Sequence, residues 1–83
     1  MENHNQAREI LRTRGYIPSK DGGYALRSVR PAVLCAFVTH RTTPAVQILT
    51  EAAPGMRSPI ALINAAHPDI LDATLAAIEG RHG

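Results

Sequence analysis

Cysteine and histidine are the side chains of this chain best suited to covalent or metal chemistry, and they are Cys35, His4, His40, His67 and His82. A nucleophile needs a base within hydrogen-bond reach. Cys35 and His40 lie five residues apart, which on a helix separates them by about 140° around the axis. They form no local dyad. Cys35 falls in the most apolar run of the chain, Ala32 to Val38, and reads as a buried, reduced thiol in an intracellular protein. The four histidines have none of the spacings that pair metal ligands on one helix or one turn. His67, directly before Pro68, reads as a helix-capping position. Asp21-Gly22-Gly23 beside Lys20 has the glycines of a phosphate cradle, but strand-like sequence follows it where a cradle needs a helix. A hairpin turn is the better account. These residues predict no enzyme, no cofactor and no metal.

Charge is the one property distributed unevenly. Residues 1–42 hold Arg8, Arg12, Arg14, Lys20, Arg27, Arg30 and Arg41 against Glu2, Glu9 and Asp21, whereas residues 43–83 hold Arg57 and Arg81 against Glu51, Asp69, Asp72 and Glu79. The N-terminal half is basic and the C-terminal half weakly acidic. A solvated face that keeps a small protein soluble explains this adequately. The functional reading is a docking face made of Arg8, Arg12, Arg14, Lys20, Arg27 and Arg30 for an acidic protein surface or a nucleic acid. Within it, Pro31 to Arg41, a Thr42-Thr43 link and Pro44 to Ala53 have the lengths of a helix-turn-helix pair, and in outline such a chain resembles a phage-repressor domain. The second helix would offer Gln47 and Thr50 to base edges but carries no Lys or Arg, and Glu51 would face phosphates. Non-enzymatic regulation or inhibition through a macromolecular partner is therefore the leading expectation, and a DNA-binding regulator the alternative. Compact accessory proteins of this kind are common on phages and plasmids.

The elements that position these residues are read from proline and apolar spacing. Arg30-Pro31, Thr43-Pro44, Ser58-Pro59 and His67-Pro68 each precede an apolar run. Proline costs least at the first position of a helix, and Thr43 and Ser58 can cap the turn that follows. Four Pro-initiated helices are predicted, over Pro31 to Arg41, Ala45 to Ala53, Ile60 to Ala66 and Asp69 to Glu79. The last has a Leu71, Leu75, Ile78 stripe and a stop at Gly80. An N-terminal helix from Glu2 or Asn3 to Arg14 places Ala7, Ile10, Leu11 and Arg14 on one side and Arg8 and Arg12 on the other, with an Asn3 to Gln6 capping box and Gly15 as its stop. Tyr16 to Val29 reads as a β-hairpin reversed at Asp21-Gly22-Gly23. The run after Pro31 also suits a central strand, apolar on both faces. The predicted fold is thus mainly α, with an α+β domain containing a small antiparallel sheet, Tyr24 to Val29 against Val33 to Thr39, as the second option.

Size sets the remaining limits. With 83 residues the chain makes a single small domain, 1–83, and at 45% apolar but 4% aromatic its core must be built from Ala, Ile, Leu and Val. Such a core is thin, and a homodimer would share it. The N-terminus lacks the pattern of a signal peptide, and no apolar stretch approaches the roughly 20 residues a bilayer requires. A cytoplasmic protein with no membrane partner is expected.

Overall fold

The computed structural model describes residues 4–82. Helix α1 (Asn5–Thr13) is followed by strands β1 (Ile17–Pro18), β2 (Tyr24–Leu26), β3 (Ala32–His40), β4 (Thr43–Ala53) and β5 (Met56–Asn64), and the chain ends in helix α2 (Pro68–His82). The strands form one antiparallel sheet in the order β1-β2-β3-β4-β5, each paired with its sequence neighbour. The mainly helical expectation is thereby overturned: three of the four helices assigned to Pro-led segments are strands. The pairing of β2 with β3, Tyr24 opposite Cys35 and Leu26 opposite Val33, follows the second option, in a larger sheet.

The four prolines that read as helix starts occupy different settings. Pro68 alone opens a helix. Pro31 lies in the loop before β3, Pro44 is the second residue of β4 opposite Thr39, and Pro59 sits in β5 opposite Leu49, where the register shifts. β5 is an edge strand and Pro59 marks its irregularity, the setting in which a missing amide donor is tolerated in a sheet. Pro54-Gly55, which also suits a helix stop, joins β4 to β5 in two residues with Gly55 at φ 81°. Proline first and a left-handed glycine second are the residues a type II turn requires.

Both helices lie on the same face of the sheet. Side chains alternate across a strand, so Val33, Cys35 and Phe37 of β3 point with Val46 and Ile48 of β4 toward one side. There they join Ala7 and Leu11 of α1, Leu71 and Leu75 of α2, Tyr16 and Tyr24 in one buried cluster, with Ile10, Ile63 and Ile78 packed at its margin. The helix stripes are those expected from their spacing. α1 begins at Asn5 after His4, which makes no side-chain cap bond, and the expected Asn3 cap lies outside the described residues. Gly15 has the left-handed φ of 91° expected at a helix stop, whereas α2 runs through Gly80 to His82.

The β3–β4 reversal is the least favourable turn. Arg41 and Thr42 connect His40 to Thr43 with φ of 51° and 65°. Both central residues of a type I′ turn need positive φ, which Asn-Gly accepts and a β-branched residue resists. Replacing Arg41-Thr42 by Asn-Gly should relieve about 1 kcal/mol or more, raising the melting temperature by about 4–8 °C in a domain of this size. A melting temperature equal to or below that of the unaltered chain in thermal circular dichroism would contradict this assignment of strain.

Candidate interaction face

The opposite side of the sheet carries no helix. Its residues follow from the register: Ile17 stands opposite Ala25, Ala25 opposite Leu34, Leu34 opposite Leu49, and Leu49 opposite Pro59. One apolar ladder thus crosses all five strands. Beside it runs a second row of Ala36, Gln47 and Leu62, then a third of Val38, Ala45 and Asn64. Ile17 is 69% exposed and Leu62 46% exposed, while Ala25, Leu34 and Ala45 are already covered by their neighbours. The apolar surface still open on this side is that of Ile17 on β1 and Leu62 on β5, with Leu49 partly covered between them, and open apolar surface on a sheet face marks a place for a partner.

Charge closes one end of that face. Ala32, Glu51 and Arg57 form the next cross-strand row. Glu51 is its centre: Arg27 Nη1 donates to Oε1 at 2.9 Å, Arg57 Nε to Oε2 at 3.3 Å, and the Gly55 amide to Oε2 at 3.1 Å. The side chain of Glu51 is left only 9% exposed. The β1–β2 turn leans toward the same side and brings Asp21 Oδ2 to 3.9 Å from Arg57 Nη1. Asp21 in turn accepts hydrogen bonds from the Ser19 hydroxyl at 2.6 Å and the Gly23 amide at 3.2 Å. Gly23 is required there, because a Cβ at that position would meet the Cys35 carbonyl oxygen at 2.5 Å. Beneath the turn a cleft of about 150 Å³ is lined by Asp21, Arg27, Leu34, Leu49 and Arg57. Arg27 and its neighbour Arg57 hold the Glu51 carboxyl below its ordinary value, and the Ser19 hydroxyl does the same for Asp21.

The residues read from the sequence as a basic docking face do not form one surface. Arg8 and Arg12 lie on α1, on the helix side of the sheet, where Arg8 stacks 4.9 Å from the Phe37 ring centroid and Arg12 pairs with Glu9 at 2.7 Å. Arg14 ties the two helices together, donating to Glu79 and Asp72 at 2.8 Å each. Tyr16 donates its hydroxyl to the same Glu79 at 2.7 Å, and burial together with that bond pushes its pKa up. Lys20 is exposed at the β1–β2 turn, Arg27 faces the helix-free side, and Arg30 is exposed in the β2–β3 loop. The helix-turn-helix segment is the β3–β4 hairpin, which places Gln47 on the helix-free face and Thr50 on the other.

Cys35 and His40 belong to one strand at odd spacing and so point to opposite faces. Cys35 is buried against the helices, and desolvation pushes its thiol up to about 12. His4 Nε2 lies 3.2 Å from the Ala45 carbonyl oxygen, and the His67 carbonyl accepts from the Ile70 and Leu71 amides. Among the described residues no three His, Cys, Asp or Glu side chains converge as a metal site, and no helix is long and apolar enough to cross a membrane.

The class these features define is a two-layer α/β sandwich, a five-stranded antiparallel meander with both helices on one side. Comparison with protein families, with curated proteins and with solved structures found no match to this chain.

Two measurements test this geometry. A thiol reagent at neutral pH should label Cys35 only after the domain is unfolded, because the thiolate that reacts is scarce and covered; rapid labelling of the folded chain would show an open site. Glu51 and Asp21, with carboxyls lowered in the folded state, stabilise it fully above the ordinary carboxylate range and lose that contribution as pH falls through their folded values. Stability should therefore decline on acidification below about pH 4.5, and Glu51→Gln should flatten part of that decline in denaturant titrations. An unchanged acid limb would remove Glu51 from the account.

Proposed function

We propose that this chain is a small non-enzymatic regulatory or inhibitory protein that acts by protein–protein contact, and that its working surface is the helix-free face of the sheet. The observation that carries this reading is the apolar ladder from Ile17 through Ala25, Leu34 and Leu49 to Pro59, with exposed Leu62 beside it. Burial of Cys35 away from His40 supports a role without covalent chemistry. The pairing of Arg12, Arg14 and Arg27 with carboxylates of the same chain favours a sheet-face contact over a basic one. It equally disfavours nucleic acid, whose phosphates need cations that are not already neutralised.

A photo-reactive phenylalanine derivative at position 62, in cells producing the chain, tests the assignment against the same derivative at Ala73 on the exposed side of α2. Cross-linked species are expected from position 62 and not from 73. Charge reversal at Arg8 and Arg12 should leave that cross-linking unchanged. Absence of a product at 62, or its loss on reversal of the α1 arginines, would return the contact surface to the helix side. A shift of random duplex DNA that weakens steeply between two salt concentrations would make the chain a nucleic-acid binder instead.

A further inference from the structure

We infer that the occupant of the helix-free face is a second copy of this chain, packed sheet against sheet about a two-fold axis near Gln47; this rests on the reading of that face as the contact surface. Gln47 is the one polar side chain in the second row, flanked by Ala36 and Leu62, and it is half-buried. No buried side-chain polar atom among the described residues lacks a partner, so the Gln47 amide is open to solvent and must exchange water for a protein partner when the face is covered. A carboxamide carries both a donor and an acceptor. At a two-fold axis each residue meets its own copy, so Gln47 can satisfy Gln47 of a second copy without any other chemistry. A partner of different sequence would have to supply such a group by chance of its own composition, whereas a second copy supplies it by symmetry.

Charge and area agree with that occupant. The charged end of the face holds two cations, Arg27 and Arg57, and two anions, Glu51 and Asp21, so identical faces do not repel. A strongly acidic or basic partner finds no opposite field there. Strands about 4.8 Å apart with a rise of about 3.3 Å per residue make the face roughly 20 Å by 25 Å, or about 500 Å² on each copy. The total of about 1,000 Å² is that of a weak, reversible association, below the roughly 1,200 Å² at which stable interfaces begin. Its side chains, mostly Ala, Leu and Val, are small enough for two sheets to approach to about 10 Å in the aligned manner of a β-sandwich. The β1–β2 turn, which leans over Leu34, lies toward the rim of such a contact and leaves β3, β4 and β5 for its centre.

The test is sedimentation equilibrium of the purified full chain from about 1 to 500 µM. A reversible dimer is expected, with a Kd between about 1 and 100 µM for an interface of this size. Leu62→Asp should weaken it at least about tenfold, the loss that follows from about 1.4 kcal/mol, with an unchanged far-ultraviolet circular dichroism spectrum. Gln47→Glu should weaken it comparably at pH 7.5 by placing two carboxylates at the axis, and association should recover at pH 5 as one takes a proton. Ile70→Asp, at a position 48% exposed on α2, should dimerise as the unaltered chain does. A monomer throughout the range, a dimer indifferent to Leu62→Asp and Gln47→Glu, or a dimer broken by Ile70→Asp would each overturn the inference. Purified chain that stays monomeric while position 62 still cross-links another protein in cells sinks the second copy alone; loss of both sinks the face itself.

Discussion

A strand that is apolar at successive positions must be covered on both faces, and this chain has helices for only one of them. β3 reads Val33, Leu34, Cys35, Ala36, Phe37, Val38 without a polar interruption, and β4 carries Ala45, Val46, Ile48 and Leu49. The period-two alternation of a strand sends half of those residues away from α1 and α2 whatever else the chain does. Tight two-residue connections at Arg41-Thr42 and Pro54-Gly55 then fix the register, so the second set is aligned into one continuous surface. A slip of one residue would exchange the two faces, burying Leu34 and Leu49 under the helices and leaving Val33 and Ile48 in their place.

The polar groups are arranged around this two-faced sheet according to side. On the helix side, Glu79 gathers Arg14 and Tyr16 and locks α2 against the segment that leaves α1. On the open side, Glu51 gathers Arg27, Arg57 and the Gly55 amide, linking the segment that leaves β2 to β4, β5 and the β4–β5 turn. The donors to Glu79 are distant in sequence, and Glu51 joins the distant Arg27 to its local partners Gly55 and Arg57, so both act as tertiary clasps. Their cost is that the arginines they hold are no longer available to attract a charged partner. Of the basic first half, Arg14 and Arg27 are engaged in joining it to the acidic second half.

What the sequence disclosed, and what it concealed, follows from the same period. The two true helices were legible because Ala7, Leu11, Leu71 and Leu75 recur at helical spacing with polar residues between them. β2 was legible through its glycine-rich turn. The β3–β4 hairpin was hidden because Arg41-Thr42 has neither of the residues that normally announce a type I′ turn, and strain at positive φ leaves no mark in composition. Thr43-Pro44 and Ser58-Pro59 then looked like capped helix starts, since a hydroxyl before proline satisfies the rules for that element. Tertiary pairing overrode local preference at both. The open face was invisible for a related reason: Leu34, Leu49 and Leu62 become one surface only after the register of β3, β4 and β5 is known.

Stability and contact draw on the same side chains in a domain this small. The helix-facing cluster is built around Leu, Val, Ile and Ala, with Tyr16, Tyr24 and a partly buried Phe37 as its aromatic members, and two short helices cannot extend it around the sheet. Burying the second face would add apolar area without lengthening the chain, at roughly 25 cal/mol for each Å² removed from water. A face left open instead exposes Leu62 on β5 and leaves Leu49 of β4 partly covered, while Pro59 and a bulge already limit lateral pairing at the β5 edge. Lateral growth is discouraged at β5, while face-to-face contact is obstructed only toward the β1–β2 turn. The sheet is therefore guarded at this edge and left without a helix on this face.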